Sequence, residues 1–367
     1  MDKSLYLNLN YEIVSFLEKI RKSDIYTFYP AVRGNKKYGK LLNLGFSCYG
    51  LKIYYMNGMW SNLSNSEKNN WIDFINSFQT KNNRFSDNYY IDDNLVKSYD
   101  NLFSASQIKY IAKSILNKFP NFNYVTKQTD LRTAINAETK QAISTLYEIN
   151  SSNKEKIENK YAEDGSIIKY LNSLDWSRPW SAGAQFSSLC VYSKTQDFNF
   201  DNDLERFIDQ YVNKETGSYH KQGLNNSREI INGAMKVISG LDWIGLDIHY
   251  PKKLIDFCLD NKPLLEGCDV VDFVYVLYKC SKQDNHRKRE VNDLLIELLD
   301  EIMKLYIRED KGFSYFKNRS QTHYYGVKIT NGSDSADIHG TTLCIWAINM
   351  ILDSFGYLEK NLNIIKP

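Results

Sequence analysis

Val291-Asn292-Asp293-Leu294-Leu295-Ile296-Glu297-Leu298-Leu299-Asp300-Glu301-Ile302-Met303-Lys304-Leu305-Tyr306 runs on to Asp310-Lys311-Gly312-Phe313-Ser314-Tyr315. The first part sets Val291, Leu294, Leu295, Leu298, Leu299, Ile302, Met303 and Tyr306 at a three-four spacing, one broad apolar stripe on a helix. The second part supplies a polar turn and then aromatics. The same order of helix, turn and aromatic recurs elsewhere. Trp71-Ile72-Asp73-Phe74-Ile75 leads through Gln79 to Asn83-Arg84-Phe85, and Leu204-Glu205-Arg206-Phe207-Ile208 leads to Thr216-Gly217-Ser218-Tyr219. The units are irregularly spaced, roughly a hundred residues apart, as degenerate repeats of a stacked helical array would be.

Working outward, Leu343, Trp346, Ala347, Met350, Ile351 and Phe355 repeat the helical spacing, and Gly356 is a C-terminal stop. Segments 66–79, 105–118, 137–149, 204–212 and 229–240 also read as amphipathic helices. Segment 270–278 alternates in a way that fits a strand as well; its helical neighbours favour helix. The polar stretch 151–166 reads as a surface insertion or linker. Composition does not change across it, so the expectation is one all-α domain over 1–367.

The 367 residues are 43% hydrophobic and 25% charged, which excludes wholesale disorder. Net charge is +2, so a mainly electrostatic nucleic-acid binder is not expected, and neither is a membrane-surface binder. No apolar run approaches the ~20 residues of a membrane span, and the first residues lack a secretory pattern. Six scattered cysteines point to reduced thiols in a cytoplasmic protein. Six prolines favour long helices, and 27 tyrosines with 6 tryptophans suffice to line a cavity as well as fill a core. Walker loops, dinucleotide fingerprints, nucleophile elbows and His-Glu-x-x-His are absent.

Helix followed by Gln-x-x-x-x-x-aromatic (Trp71 through Gln79 to Phe85) and by Asp-x-Gly-Phe-x-Tyr (Asp310 to Tyr315) resembles the repeats of terpenoid cyclases and protein prenyltransferase β-subunits. The resemblance spans about residues 40–356. It implies an α/α toroid, an outer and an inner ring of helices around a central aromatic-lined cavity, and speaks to fold more than to activity.

Two segments carry candidate chemistry. Asp334, Asp337 and His339 precede the last amphipathic helix, where free N–H groups favour anions. Asp337 or Thr341 is equally readable as a helix cap. Asp269 and Asp272, three apart, share one side of a helix; alternatively Asp269 caps it and Asp272 complements its dipole. In a closed ring Asp269, Asp272, Asp337 and His339 converge at one mouth as catalytic residues. The zinc ligands of prenyltransferase β-subunits resemble Glu266-Gly267-Cys268 with His339, although Glu stands for the usual Asp. That resemblance implies a metal set of Glu266, Cys268 and His339, with zinc, or magnesium, as the ion. The protonating terpenoid cyclases resemble Asp337-Ile338-His339-Gly340-Thr341-Thr342, but the proton-donating acid of their motif is His339 here. Imidazolium is too weak an acid for alkene protonation and suits proton transfer near neutral pH.

Candidate substrate-binding residues are Trp176, Arg178 and Trp180, for a sugar face and a phosphate or carboxylate, with His323, Tyr324 and Tyr325 as donors and stacking surface. Thr129-Asp130-Leu131-Arg132 and Glu138-Thr139-Lys140-Gln141 flank a helix start, and their polar residues, Arg132 and Gln141 foremost, either line the same rim or are merely solvated there. Three functions remain open. One is an enzyme holding a hydrophobic or isoprenoid-like substrate, with Asp/His acid–base chemistry at the rim. The second is a carbohydrate-active toroid (glycosidase, epimerase or lyase). The third is a non-catalytic helical scaffold. An apolar deep cavity favours the first; exposed aromatics with paired carboxylates favour the second.

Overall fold

The computed structural model describes residues 3–81, 84–100, 115–116, 126–163, 165–262 and 266–367. Within them the chain is predominantly α-helical, with fourteen α-helices and three two-stranded ribbons. The helix expected over 105–118 falls outside the described residues except for Ile115 and Leu116. Segment 270–278 lies inside the helix Cys268–Gln283. Residues 151–163 form no helix, as the polar composition there led one to expect.

Two kinds of helix alternate. Asp201–Ile208, Pro251–Asp260 and Lys288–Met303 bury one stripe, the pattern of a helix with a solvated face. Leu44–Met56, Pro179–Gln196, Ser227–Ile244, Cys268–Gln283 and Ile338–Ser354 are buried nearly all round. With Lys127–Glu148 these make a continuous series of contacts. Leu44–Met56 packs on Lys127–Glu148, that helix on Pro179–Gln196, and so on through Ser227–Ile244, Cys268–Gln283 and Ile338–Ser354. Ile338–Ser354 packs back on Leu44–Met56. Asn349 Nδ2 secures that last contact, donating to the Met56 carbonyl at 3.2 Å and the Asn363 carbonyl at 2.8 Å.

Local chemistry fixes where these helices start. Ser64 and Glu67 form a reciprocal capping box ahead of Asn65–Asn76. The Thr126 and Asn226 side chains accept from the N–H groups of Thr129 and Glu229. Pro179 and Pro251 occupy first-turn positions, where the missing N–H costs nothing. The closest helix pair relies on absent side chains. A Cβ on Gly233 would stand 2.5 Å from Pro179 Cβ, and one on Gly240 would stand 2.9 Å from Cys190 Sγ. Only glycine lets Ser227–Ile244 approach Pro179–Gln196 this closely.

The helix–turn–aromatic recurrence has a structural meaning. Each unit ends in a short antiparallel pairing: Gln79–Thr80 with Tyr89–Tyr90, Val212 with Tyr219, and Tyr306–Ile307 with Gly312–Phe313. Tyr90, Tyr219 and Phe313 are sealed from solvent. In the first unit the buried aromatic is Tyr90 rather than Phe85, because the turn is longer and Phe85 stays half-buried. Polar staples hold these turns. Gln79 Nε2 donates to the Asn88 carbonyl, and its Oε1 accepts the Glu155 N–H. The buried Asp310 accepts from the Ala336 N–H at 2.8 Å and pairs with Arg33. Among the described residues no helix is long and apolar enough to cross a membrane.

Candidate functional site

The starts of Cys268–Gln283 and Ile338–Ser354 meet at Tyr315. The Tyr315 carbonyl accepts the Gly267 N–H at 2.7 Å, and the Tyr315 N–H donates to Asp337 Oδ2 at 2.7 Å. Asp337 is 1% exposed and caps the Ile338 helix through Oδ1, which accepts the Gly340 N–H at 2.8 Å. Its Oδ2 also accepts the Gln321 N–H at 3.0 Å. Burial pushes the Asp337 carboxyl up to about 7, and these N–H donors keep it from rising further. Every oxygen of Asp337 is thus spent on backbone.

His339, two residues on, is placed quite differently. Its ring stacks on Tyr49 with centroids 4.6 Å apart and planes 16° apart, and Tyr315 covers it from a centroid distance of 5.0 Å. Nδ1 is buried and has no hydrogen-bond partner. Desolvation, then the charges of Lys236 and Lys52, push its pKa down to about 3. It is a neutral base at physiological pH. Around it, Cys268 Sγ lies 3.1 Å from the Tyr315 hydroxyl, and burial pushes that thiol up to about 11. Asp272 lies 3.8 Å from Lys236 Nζ, and its Oδ2 has no partner. Burial raises the Asp272 carboxyl to about 6. Asp269 is committed to structure, accepting from Asn232 Nδ2 at 2.6 Å and Arg228 Nε at 2.8 Å.

Lys52, Lys140 and Lys236 come from three different helices of the buried series; the sequence pointed only to Lys140, as one of the polar residues either lining the rim or solvated there. Lys52 is 7% exposed amid Leu44–Met56, and Lys236 is the one half-buried position between Ile230 and Leu241. A lone lysine inside an otherwise apolar helix was the available signal, but a charge in a helical pattern ordinarily marks the solvated face. Desolvation, then the charges of Lys236 and Lys52, lower Lys140 to about 7. Desolvation also lowers Lys52. Between pH 7 and 10.5 the unfolded chain keeps the Lys140 proton that the folded chain releases, so stability rises with pH through that window. Lys140→Met is therefore expected to raise the melting temperature by a few degrees at pH 7 or below, and by progressively less toward pH 10.5. Melting curves across this range check it; a pH-independent shift would assign the gain to packing alone.

The remaining sequence candidates scatter. Trp176 is buried, stacked on Tyr211 at 4.6 Å, and donates Nε1–H to the Leu171 carbonyl; it anchors a helix connection and offers no free face. Trp180 is 44% exposed, and Arg178 is exposed at the same helix start. His323 is exposed; Tyr324 is buried, with its hydroxyl donated to Glu138 Oε1 at 3.1 Å. Tyr325 and Gly326 form the two-residue loop of the hairpin His323–Tyr324/Val327–Lys328, with φ of 44° and 78°. Both positive values fit a hairpin turn, unusual for a tyrosine. Gln141 is buried and donates Nε2–H to the Gly45 carbonyl. A Cβ on Gly45 would collide with the Tyr324 hydroxyl, so that position must stay bare.

The metal set does not fit. Among the described residues no three His, Cys, Asp or Glu side chains are grouped as ligands of one ion, so Glu266, Cys268 and His339 are not assembled for zinc or magnesium. The lysine charges around His339 oppose a cation as well.

Arg132 lines a cleft of about 790 Å³ with Arg84, Tyr89, Lys160, Tyr161 and Tyr170. Of these only Arg132 was singled out from the sequence; the others lie far apart in the chain and carry no joint pattern. In comparisons with known proteins, no family model matches the chain, and no curated protein and no solved structure is significantly similar to it.

Proposed function

We propose that the six helices of this contact series close into an α/α toroid with a cationic, tyrosine-lined interior, and that the protein is an enzyme acting there on an acidic carbohydrate. The return of Ile338–Ser354 to Leu44–Met56 supports closure. So does the recurrence of accessible positions inside buried helices: Tyr49, Asn136, Lys140, Gln185, Lys236 and His339. At the level of fold this keeps the likeness to terpenoid cyclases and prenyltransferase β-subunits. Six free cysteines, five of them buried, suit a reducing compartment such as the cytoplasm.

One observation carries the choice of chemistry. A neutral imidazole sits between two tyrosines within reach of the Lys236 and Lys52 charges, of which Lys236 faces Asp272 at 3.8 Å and Lys52 feels the more distant Glu148. Such a lining disfavours an apolar isoprenoid chain and favours an anion. Asp269 and Asp337, the two carboxylates the sequence offered as an acid–base pair for glycoside hydrolysis, are tied up in structural hydrogen bonds. Lysines beside a uronate carboxylate neutralise it and stabilise the enolate that forms when the neighbouring C–H is broken. His339 accepts that proton through Nε2. The electron pair forms a carbon–carbon double bond, the glycosidic C–O bond breaks, and the Tyr315 hydroxyl protonates the departing oxygen. Re-protonation of the same carbon instead gives epimerisation. Incubation with polygalacturonate, alginate and hyaluronan tests this. Ultraviolet absorbance of a new unsaturated uronate, or deuterium uptake from heavy water, is the expected result. Turnover of prenyl diphosphates, or preference for a neutral glycan, would overturn it.

A further inference from the structure

The 790 Å³ cleft falls within the ~300–1,000 Å³ range of small-ligand sites. Its surface combines cations and flat rings. Arg132 is exposed, Asp130 lines the same cleft, and Lys160 Nζ lies 4.8 Å from the centre of the Tyr89 ring. Desolvation lowers the Lys160 pKa, the nearby Glu158 carboxylate works against this, and the Arg132 charge adds a smaller lowering, which places the two cations near each other. Tyr161 and Tyr170 meet at 5.1 Å, and the Tyr170 hydroxyl donates to Gln185 Oε1 at 3.1 Å. Asn136 Nδ2 donates to the same oxygen at 3.2 Å. Gln185 and Asn136 thus form a polar floor under an aromatic and cationic wall. Rings of this kind stack on the C–H faces of sugars, and guanidinium and ammonium groups pair with their carboxylates.

The cleft and the interior lysines also share a helix face. Thr129, Arg132, Thr133 and Asn136 line the cleft from Lys127–Glu148 at three-four spacing, and Lys140 is the next residue on that stripe, one turn further on. A ligand along this face passes from Arg132 to Lys140 without leaving the helix.

We infer that the cleft between Arg132 and Lys160 is a second carbohydrate subsite, holding neighbouring acidic units of a polymer while one unit occupies the lysine-lined interior. This rests on the acidic-glycan reading and adds that the substrate is a chain rather than a single sugar acid. The test is calorimetric binding of the di-, tetra- and hexasaccharides of galacturonate, mannuronate and hyaluronan to the full chain carrying His339→Ala, so that nothing is consumed. For at least one series, affinity is expected to rise about tenfold or more from dimer to hexamer. Adding Arg132→Ala or Lys160→Gln should erase that gain, with circular dichroism showing the fold intact. Equal affinity for dimer and hexamer in every series, or a gain that both substitutions leave untouched, would overturn the subsite. If the length-dependent gain persists while the unsubstituted protein turns over no acidic glycan, the subsite stands and the elimination chemistry falls. Absence of binding by all three series removes both.

Discussion

Asp337→Asn is expected to lower the melting temperature by roughly 5 °C or more, although it changes two atoms at most. The carboxylate accepts from three backbone N–H groups: Gly340 on Oδ1, and Tyr315 and Gln321 on Oδ2. An amide has only one acceptor oxygen. Whichever way it is flipped, an NH2 group faces a backbone donor, and at least one N–H loses its partner in a buried place. Leaving such a group unsatisfied costs about 1–3 kcal/mol, and loss of the charged acceptor adds to this. The damage would spread, because Asp337 joins the Ile338 helix to Tyr315, and Tyr315 in turn holds Gly267. Thermal melts decide the role. An unchanged midpoint with lost turnover would make Asp337 a reacting group and contradict the capping geometry.

His339→Ala should show the opposite signature. Turnover is expected to fall by ~10²–10⁴-fold, the usual contribution of a positioned general base. The midpoint should move little, because the ring is half-buried and its Nδ1 makes no hydrogen bond that the variant would lose. The pH profile supplies a second readout. With its pKa near 3, His339 stays unprotonated through pH 5, so the rate should show no ionisation at the ordinary histidine value. An acid limb near 6.5 that vanishes in the variant would keep His339 as the base but show it ionising at its ordinary value, against the buried, lysine-flanked setting described.

The helices were legible because burial imposes a period. Val291 to Tyr306 and Leu343 to Phe355 read directly from their stripes, and the ambiguous 270–278 was settled by what flanks it. Helices buried all round gave a weaker signal, since an apolar residue on every face has no period to detect. That is why the contact between Leu44–Met56 and Ile338–Ser354 had to come from coordinates. For the site, Asp337 admitted two readings in sequence, and its hydrogen bonds favour the cap. Trp176 advertised a binding face and proved to be stacked on Tyr211. Lys52 and Lys236 gave no signal and Lys140 admitted two readings, because sequence alone does not distinguish a lysine that points to bulk water from one that points inward. Their meaning depends on three helices being brought together.

Asn349 hydrogen-bonds to the Met56 carbonyl, a group 293 positions earlier in the chain. On the ribosome, Leu44–Met56 is made first and must wait while the 293 positions from Met56 to Asn349 are translated before Ile338–Ser354 can cover it. Throughout that delay its apolar side faces solvent or the exit-tunnel surroundings, a hazard of long-range pairing in nascent chains. Productive expression of this protein should accordingly depend on holdase chaperones far more than its finished stability would suggest, and a stalled or prematurely terminated polypeptide should aggregate.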